Sequence, residues 1–297
     1  MTSHWILGPG AIGRLLAHSL SPVTDTTLVG RRALPQQQHL TTPEDEERTQ
    51  RLASVTTAAL ASHPLPAPGF IHITTKAMAA EAALASIAGV VAPTTPLVLW
   101  QNGFLAQPRI TQTWPGPVLC ATTTQGAYLT GDDGVVHAGR GHTLIGSLNN
   151  PHNELAAQLA QRLVAAGLSA EPVANIRVRL WHKLAINAAI NPLVARYQIR
   201  NGQLRDRPFR PMVAELIDEI QAILAAENIA PPASGWQTLI WGVIENTANN
   251  RASMLQDILA DRPTEHAAIL GPLCDAATSH GVPAPQLNSL LAWLASR

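Results

Sequence analysis

Apolar residues follow two different patterns along this chain, and the change from one to the other lies near residue 172. Before it, short apolar runs of strand length alternate with helical stretches and with turns rich in glycine and proline. These runs lie at 5–7, 26–30, 70–75, 96–100 and 118–124. Strands that alternate with helices predict an α/β fold built on a parallel, doubly wound sheet. Two later runs, 135–137 and 142–146, flank Gly139 and Gly141 and predict a hairpin.

The rest of the chain has helical periodicity and almost no strand signal. Helical stretches are predicted near 176–196, 209–227, 235–248, 251–260, 264–280 and 285–296, with proline and glycine mostly between them. We therefore predict two domains, an α/β domain over 1–172 and an all-helical domain over 173–297. The charged run 44–51 is more typical of a solvated loop or helix end than of a binding site.

Composition narrows the class of protein. The 297 residues are 46% apolar and 13% charged, with a formal net charge of zero, which argues against binding to nucleic acid. No segment reaches the roughly 18 uninterrupted apolar residues of a membrane span, and no basic leader with a cleavage site precedes the first strand. Two distant cysteines do not form a disulfide framework, and the eleven histidines lack metal-ligand spacing. We expect a cytoplasmic protein without a metal site.

A glycine-rich loop follows the first predicted strand. Gly8, Gly10 and Gly13 have GxGxxG spacing, and an apolar helix begins directly after them. This order places the pyrophosphate of a dinucleotide at the helix N-terminus. The predicted fold is therefore a Rossmann-type sheet followed by an all-α domain, and residues 8–13 (Gly8, Pro9, Gly10, Ala11, Ile12 and Gly13) are the predicted cofactor-binding loop. A glycine turn before a packed helix is the alternative.

The end of the second predicted strand indicates which dinucleotide is bound. NAD-binding domains usually carry a carboxylate here for the ribose 2′-hydroxyl, but this chain has Arg31 and Arg32 after Gly30. A guanidinium can donate two parallel hydrogen bonds to a phosphate, so the pair favours the 2′-phosphate of NADP(H). The alternative is a pair of surface arginines.

Three polar residues form one stripe on a predicted apolar helix. Lys183, Asn187 and Asn191 are spaced four residues apart, and their neighbours are largely apolar. A buried ammonium and two buried amides are costly without partners, which a small polar substrate would supply. Two alternatives remain: Lys183 extends its head group to solvent from a helix end, and Asn191, before Pro192, marks a kink or helix end.

Taken together, these motifs resemble the ketopantoate reductase (2-dehydropantoate 2-reductase) family. The resemblance rests on residues 8–13, 75–77, 101–103, 181–187, 190–193, 201–202, 253–257 and 264–265, in this order along nearly the whole chain. It implies a Rossmann domain joined to a helical domain for substrate and dimerisation. It also implies reduction of 2-dehydropantoate to pantoate with NADPH, in the pathway to pantothenate and coenzyme A.

The resemblance implies a role for each matching residue. Lys183 is implied as the proton donor to the ketone oxygen, with Glu265 beside it and near the cofactor. Implied substrate-binding residues are Asn102, Asn187, Asn191, Asn201 and Ser253. Implied cofactor-binding residues are Lys76, Asn102, Ala127 and Glu265, in addition to the glycine loop. Simpler interpretations remain: Asn201-Gly202 as a turn, Ser253 as a helix cap, and Glu265 as an acid at a helix N-terminus.

Two other functions remain open at this level. The first is an NADP-dependent reductase of another branched 2-oxo acid, or one that makes an opine-like product. The second is an NADP-binding regulatory protein without turnover, against which Lys183 and the amides argue. The expected partner is a small 2-oxo acid, not a nucleic acid or a membrane. The sequence does not fix the oligomeric state, and a homodimer is one arrangement open to it.

Overall fold

The computed structural model describes residues 3–63, 65–149 and 151–297. The chain forms two compact units, each made of residues that mainly contact one another. One takes in the described residues up to Gln101 together with Ala106–Arg177, and the other combines Asn102–Leu105 with Val178–Arg297. The short segment Asn102–Leu105 is therefore part of the second unit, although the chain on both sides of it belongs to the first.

The first unit contains strands and helices in alternation, as predicted. Its strands are β1 (His4–Leu7), β2 (Thr26–Gly30), β3 (Gln37–Thr41), β4 (Glu47–Arg51), β5 (Ala53–Thr56), β6 (Phe70–Ile73), β7 (Leu97–Leu99), β8 (Val118–Thr123), β9 (Gly126–Thr130), β10 (Gly134–Gly139), β11 (His142–Gly146) and β12 (Ser169–Pro172). Its helices are α1 (Ala11–Leu20), α2 (Thr57–Ser62), α3 (Ala80–Ala85), α4 (Ala106–Thr113) and α5 (Asn153–Ala165).

Eight of these strands form one twisted sheet in the order β12-β11-β8-β7-β6-β1-β2-β5. Every adjacent pair is parallel except β11 and β8, so the sheet is mixed and Rossmann-like. The central strand β1 is buried along its whole length, as its unbroken apolar run requires. Because β1 pairs in parallel with β2 and β6, the loops that follow Leu7, Gly30 and Ile73 lie at the same edge of the sheet.

A second sheet, in the order β4-β3-β10-β9, is absent from the sequence prediction. The predicted hairpin of 135–137 with 142–146 is wrong, because β10 pairs with β9 and β3 whereas β11 pairs with β8 and β12. The segment 139–141 therefore carries the chain from one sheet to the other. A Cβ at Gly141 would overlap the backbone of Thr124 and Gln125, so this crossing needs glycine.

The charged run 44–51 is also not the solvated loop or helix end that we expected. Residues Glu47–Arg51 form β4, an edge strand whose side chains are mostly exposed. Charged side chains are common on edge strands because they oppose pairing with other chains. Charge density alone did not distinguish this strand from a loop.

The second unit is helical, as predicted. Its helices are α6 (Ile176–Tyr197, counted here although its first two residues belong to the first unit), α7 (Phe209–Ala226), α8 (Trp236–Asn246), α9 (Ser253–Leu259), α10 (His266–Ile269), α11 (Gly271–His280) and α12 (Pro285–Ala295). A short 3₁₀ helix spans Asn201–Arg205. None of the helices in the described ranges is long and apolar enough to cross a membrane.

Helix α6 contributes many of the buried residues in the core of this unit. Leu184, Ala188 and Ala189 on it are almost fully buried in a core that α7, α8 and α12 complete. Apolar residues around most of a helix indicate a helix surrounded by protein. Pro192 lies inside α6, which continues to Tyr197, so Asn191 does not mark a helix end. The polar stripe is thus carried on a helix that is largely surrounded by apolar core residues.

Candidate active site

All seven residues proposed for catalysis and substrate binding belong to the helical unit. Lys183, Asn187 and Asn191 lie on α6, one turn apart. Asn191 is buried, with 6% of its surface exposed, whereas Lys183 and Asn187 are half-buried. Lys183 is inside the helix rather than at its end, which argues against a lysine that extends to solvent from a terminus. The three side chains lie on one face of α6, and their roles stay predictions.

Glu265 and Asn102 are in direct contact. The Asn102 amide nitrogen donates a hydrogen bond of 3.2 Å to a carboxylate oxygen of Glu265. Glu265 directly precedes α10 and its side chain does not cap this four-residue helix. Its carboxylate is directed to a neighbouring side chain instead, which argues against a role limited to the helix dipole.

The backbone after Asn102 explains how this contact is held. Gly103 has φ +81°, and a Cβ there would overlap the carbonyl group of Ala268. The next amide, of Phe104, donates a hydrogen bond of 3.1 Å to the same carbonyl oxygen. The Phe104 ring also packs 5.1 Å from the Trp181 ring on α6. Glycine therefore allows the segment 102–105 to lie against α10 and α6.

The Lys183 ammonium is influenced by the same cluster. Desolvation lowers the pKa of Lys183 to about 8, and the Glu265 carboxylate opposes the shift. An amine with a pKa of about 8 is mainly protonated at neutral pH and is a stronger acid than an ordinary lysine. Asn102, Glu265 and Lys183 thus form a cluster in which an ammonium and an amide interact with one carboxylate.

Asn201 lies at the start of the 3₁₀ helix rather than in a simple turn. Its amide nitrogen donates a hydrogen bond of 2.9 Å to the Thr247 hydroxyl, while its buried Oδ1 has no hydrogen-bond partner among the described residues. A Cβ at Gly202 would press against Ala248, so glycine permits the close approach of the two segments. Thr247 is a residue that sequence reasoning missed, because no motif marks it.

Ser253 is the first residue of α9, and its side chain is exposed. The cap position is occupied by Ala252, and no side chain caps this helix. Ser253 is therefore not the helix cap that we considered, and its hydroxyl is accessible to a ligand.

The glycine loop of the first unit has the geometry that a pyrophosphate requires. Gly8 adopts φ +103°, which favours glycine, and a Cβ at Gly13 would overlap the carbonyl oxygen of Gly8 and the Thr74 hydroxyl. Gly10 caps α1, and a Cβ there would meet no atom within 4 Å, so a phosphate can approach the backbone. The first amide groups of α1, from Ala11 onwards, are donors for such an anion. The loop fits a dinucleotide.

The other residues proposed for the cofactor are placed by the sheets. Arg31 and Arg32 follow β2 and are exposed, and Lys76 follows β6 at the same edge and is also exposed. Ala127 lies on strand β9, where it packs against a cluster of Leu15, Leu40 and Val135, rather than in a loop. A contact between Ala127 and the cofactor stays a prediction.

Arg14 is a buried charge that sequence reasoning missed. It lies on α1 and is 1% exposed. Its Nε donates a hydrogen bond of 3.1 Å to the carbonyl oxygen of Pro9, and its Nη1 donates one of 2.7 Å to the carbonyl oxygen of Asp132. Arg14 therefore joins the glycine loop to the turn between β9 and β10. Burial and the adjacent Arg32 lower the pKa of Arg14, and Asp132 and Asp133 oppose this shift.

The chain is similar to known proteins over nearly its whole length. The family model described as ketopantoate reductase PanE/ApbA matches residues 5–150, and its C-terminal counterpart matches 175–297. The 2-dehydropantoate 2-reductase of Vibrio cholerae is 36% identical over 296 residues, covering 96% of this chain and 94% of that protein. The enzyme of the same name from Pyrococcus horikoshii is 34% identical, covering 97% and 94%.

Solved structures show the same fold. A D-mandelate dehydrogenase solved with NADH and anilino(oxo)acetate is similar with a TM-score of 0.89 at 22% identity, covering 99% of this chain and 98% of that one. A PanE/ApbA family ketopantoate reductase from Ralstonia eutropha JMP134 gives a TM-score of 0.87 at 22% identity, covering 99% and 97%. The match of both family models in order, with relatives above 30% identity over nearly the full length, shows that this chain belongs to the ketopantoate reductase family.

Proposed function

We propose that this protein reduces 2-dehydropantoate to pantoate with NADPH, in the cytoplasm, as a step towards pantothenate and coenzyme A. The observation that carries the proposal is the cluster of Asn102, Glu265 and Lys183. It supplies a proton donor and a carboxylate of the kind that ketone reduction needs. The relatives named 2-dehydropantoate 2-reductase support the choice of substrate.

The chemistry divides between the cofactor and the chain. When bound, NADPH would supply the hydride for C2 of the 2-oxo acid. The Lys183 ammonium stabilises the negative charge that develops on the ketone oxygen and then donates its proton to that oxygen. A pKa of about 8 suits both tasks, because the group is mainly charged at pH 7 and releases a proton more readily than an unperturbed lysine.

Glu265 and the amides position the reacting groups. Glu265 stabilises the ammonium of Lys183, and Asn102 orients the Glu265 carboxylate through their hydrogen bond. Asn102 would also lie beside the nicotinamide of the bound cofactor. The Oδ1 of Asn201 is a buried acceptor without a partner among the described residues, so it suits a substrate hydroxyl. The Asn187 and Asn191 amides and the exposed Ser253 hydroxyl suit the hydroxyl and carboxylate oxygens of the substrate.

The first unit holds the cofactor in this proposal. The amide groups at the start of α1 would bind the pyrophosphate, and Arg31 and Arg32 would bind the 2′-phosphate. Lys76 lies at the same edge of the sheet and would add positive charge for the phosphates, while Ala127 would contact the cofactor through its backbone.

One assay tests the substrate and the cofactor together. Oxidation of NADPH is followed at 340 nm with 2-dehydropantoate, 2-oxoisovalerate and 2-oxoglutarate, with NADH as the cofactor control. Turnover that is fastest with 2-dehydropantoate, and faster with NADPH than with NADH, is the expected result. Preference for another 2-oxo acid would move the function to a different reductase of the same fold. Tight binding of NADPH without any turnover would indicate a regulatory protein.

The oligomeric state is a separate proposal. A dimeric ketopantoate reductase from Staphylococcus aureus has the same fold. We propose a homodimer formed through the helical unit, which light scattering coupled to gel filtration would establish from the molar mass, with a monomer mass as the contradicting result.

A further inference from the structure

An exposed ion pair lies where the 2′-phosphate is proposed to bind. Arg32 donates two hydrogen bonds to the Asp132 carboxylate, from Nη1 to Oδ2 at 3.0 Å and from Nη2 to Oδ1 at 2.5 Å. The side chains are 59% and 66% exposed. Both terminal nitrogens of the guanidinium are engaged, and these are the donors that Arg32 would offer end-on to a phosphate.

The position of Asp132 is fixed by buried structure rather than by the exposed pair itself. Asp132 lies in the turn 131–133 between β9 and β10, where Gly131 adopts φ +69°. Its carbonyl oxygen accepts a hydrogen bond of 2.7 Å from Arg14, which is 1% exposed and is also bonded to Pro9 and Gln38. The turn is thereby tied to the glycine loop, and the Asp132 carboxylate is held beside the end of β2.

Asp132 places a carboxylate near the end of β2, where the neighbouring sequence has none. NAD-binding domains carry a carboxylate at the end of the second strand, where it accepts a hydrogen bond from the ribose 2′-hydroxyl. Here two arginines follow Gly30 instead. Asp132, in a turn of the second sheet and 100 residues after Arg32, provides a carboxylate that accepts hydrogen bonds from Arg32. The same carboxylate competes with a 2′-phosphate for the guanidinium and repels its charge.

We propose that Asp132 sets the ratio of NADPH to NADH affinity, by weakening the grip of Arg32 on the 2′-phosphate and by accepting a hydrogen bond from the 2′-hydroxyl of NADH. The proposal rests on the proposed function in one respect, because it takes Arg32 as a 2′-phosphate ligand. It concerns the adenosine end of the cofactor and does not depend on which 2-oxo acid is reduced.

The test compares Asp132→Asn with Asp133→Asn, which removes the same charge one residue away. Dissociation constants are measured by calorimetry for NADPH, NADH and the fragments 2′,5′-ADP and 5′-AMP. Asp132→Asn is expected to bind NADPH and 2′,5′-ADP about three- to tenfold more tightly, and NADH and 5′-AMP more weakly. Asp133→Asn should leave the NADPH to NADH ratio nearly unchanged. The gain should shrink at roughly 0.5 M salt, because exposed charges are screened.

The role of Asp132 and the binding of the 2′-phosphate by Arg32 can be tested separately. If Asp132→Asn binds 2′,5′-ADP as the wild type does, or more weakly, while remaining folded by circular dichroism, Asp132 is not a competitor and the inference is overturned. Arg32→Ala tests the premise: it should weaken 2′,5′-ADP but not 5′-AMP. Equal binding of 2′,5′-ADP by Arg32→Ala and wild type would remove Arg32 from the cofactor site, whatever Asp132→Asn does.

Discussion

The Asn102 side chain donates a 3.2 Å hydrogen bond to the Glu265 carboxylate, across 163 residues of sequence. The contact lies within the helical unit, because the segment Asn102–Leu105 belongs to that unit. It links the proposed proton donor Lys183, through Glu265, to a residue that lies three positions after the end of β7 at Leu99.

Replacing Lys183 should remove turnover without removing the cofactor. We expect Lys183→Ala to lower kcat by about 10²- to 10⁴-fold, because the developing charge loses its stabilising group and its proton source. NADPH affinity, measured by fluorescence or calorimetry, should change little. Lys183→Arg is the matched control, since it keeps the positive charge but is a very weak acid, and it should recover only part of the loss. A near-normal rate in Lys183→Ala would rule out the proposed donor.

The rate of reduction should fall at alkaline pH. Lys183 acts as an acid and must be protonated, so kcat/KM should be constant below its pKa of about 8 and decrease above it. The Glu265 carboxylate raises this pKa, so Glu265→Gln should move the alkaline limb to lower pH. Glu245→Gln changes an exposed carboxylate on α8 and is the control. An unmoved limb in Glu265→Gln would contradict the assigned coupling.

Gly103 should tolerate no side chain. Gly103→Ala places a Cβ against the Ala268 carbonyl at a backbone φ of +81°. We expect the free energy of unfolding to decrease by about 1–3 kcal/mol because of the strained backbone. Activity should also decrease, because Asn102 would be displaced. Gly242→Ala on α8 is the control: its Cβ meets nothing within 4 Å, and it should stabilise by about 0.5–1 kcal/mol. Urea unfolding curves measure both.

Buried histidines should make the fold sensitive to acid. The Trp100 indole donates to Nδ1 of His72 at 3.1 Å, so the neutral His72 carries its proton on Nε2 and donates it to His4, 2.8 Å away. Burial, and secondarily Arg162, lowers the pKa of His4 to about 4, and burial lowers the pKa of His18 to about 4. Their neutral forms are therefore favoured in the folded state.

Because these pKa values are lowered in the folded state, the free energy of unfolding should decrease as the pH falls. An unfolded histidine binds its proton near pH 6.5, so the stability contributed is complete above that pH and is lost as pH falls through 6.5 towards 4. The loss is about 3 kcal/mol for each histidine shifted to about 4. Thermal unfolding between pH 7.5 and 4 measures it. His18→Leu should flatten the dependence, whereas exposed His63→Leu should not; equal slopes would show that His18 is not involved.

Local sequence signals predicted the elements better than their pairing. The strand β1, the helix α1 that follows the glycine turn, and the helical half of the chain were confirmed, because each depends on neighbouring residues within one element. The pairing of β10 was wrong, since alternation shows that a segment is a strand but not which strand lies beside it. The roles assigned to Lys183, the asparagines and Ser253 stay predictions, although the structure places all of them in one unit.

By itself, the sequence determined that an α/β unit precedes a helical unit, that a glycine loop follows the first strand, and that Lys183, Asn187 and Asn191 form one stripe. These features depend on backbone conformation and helical spacing, which are local properties. Tertiary structure decided the rest. It brought Asn102 to Glu265, buried Arg14 against Asp132 and set the Asp132 carboxylate on Arg32. These pairs join residues far apart in sequence, and their contacts arise from the packing of whole elements, which no local spacing encodes.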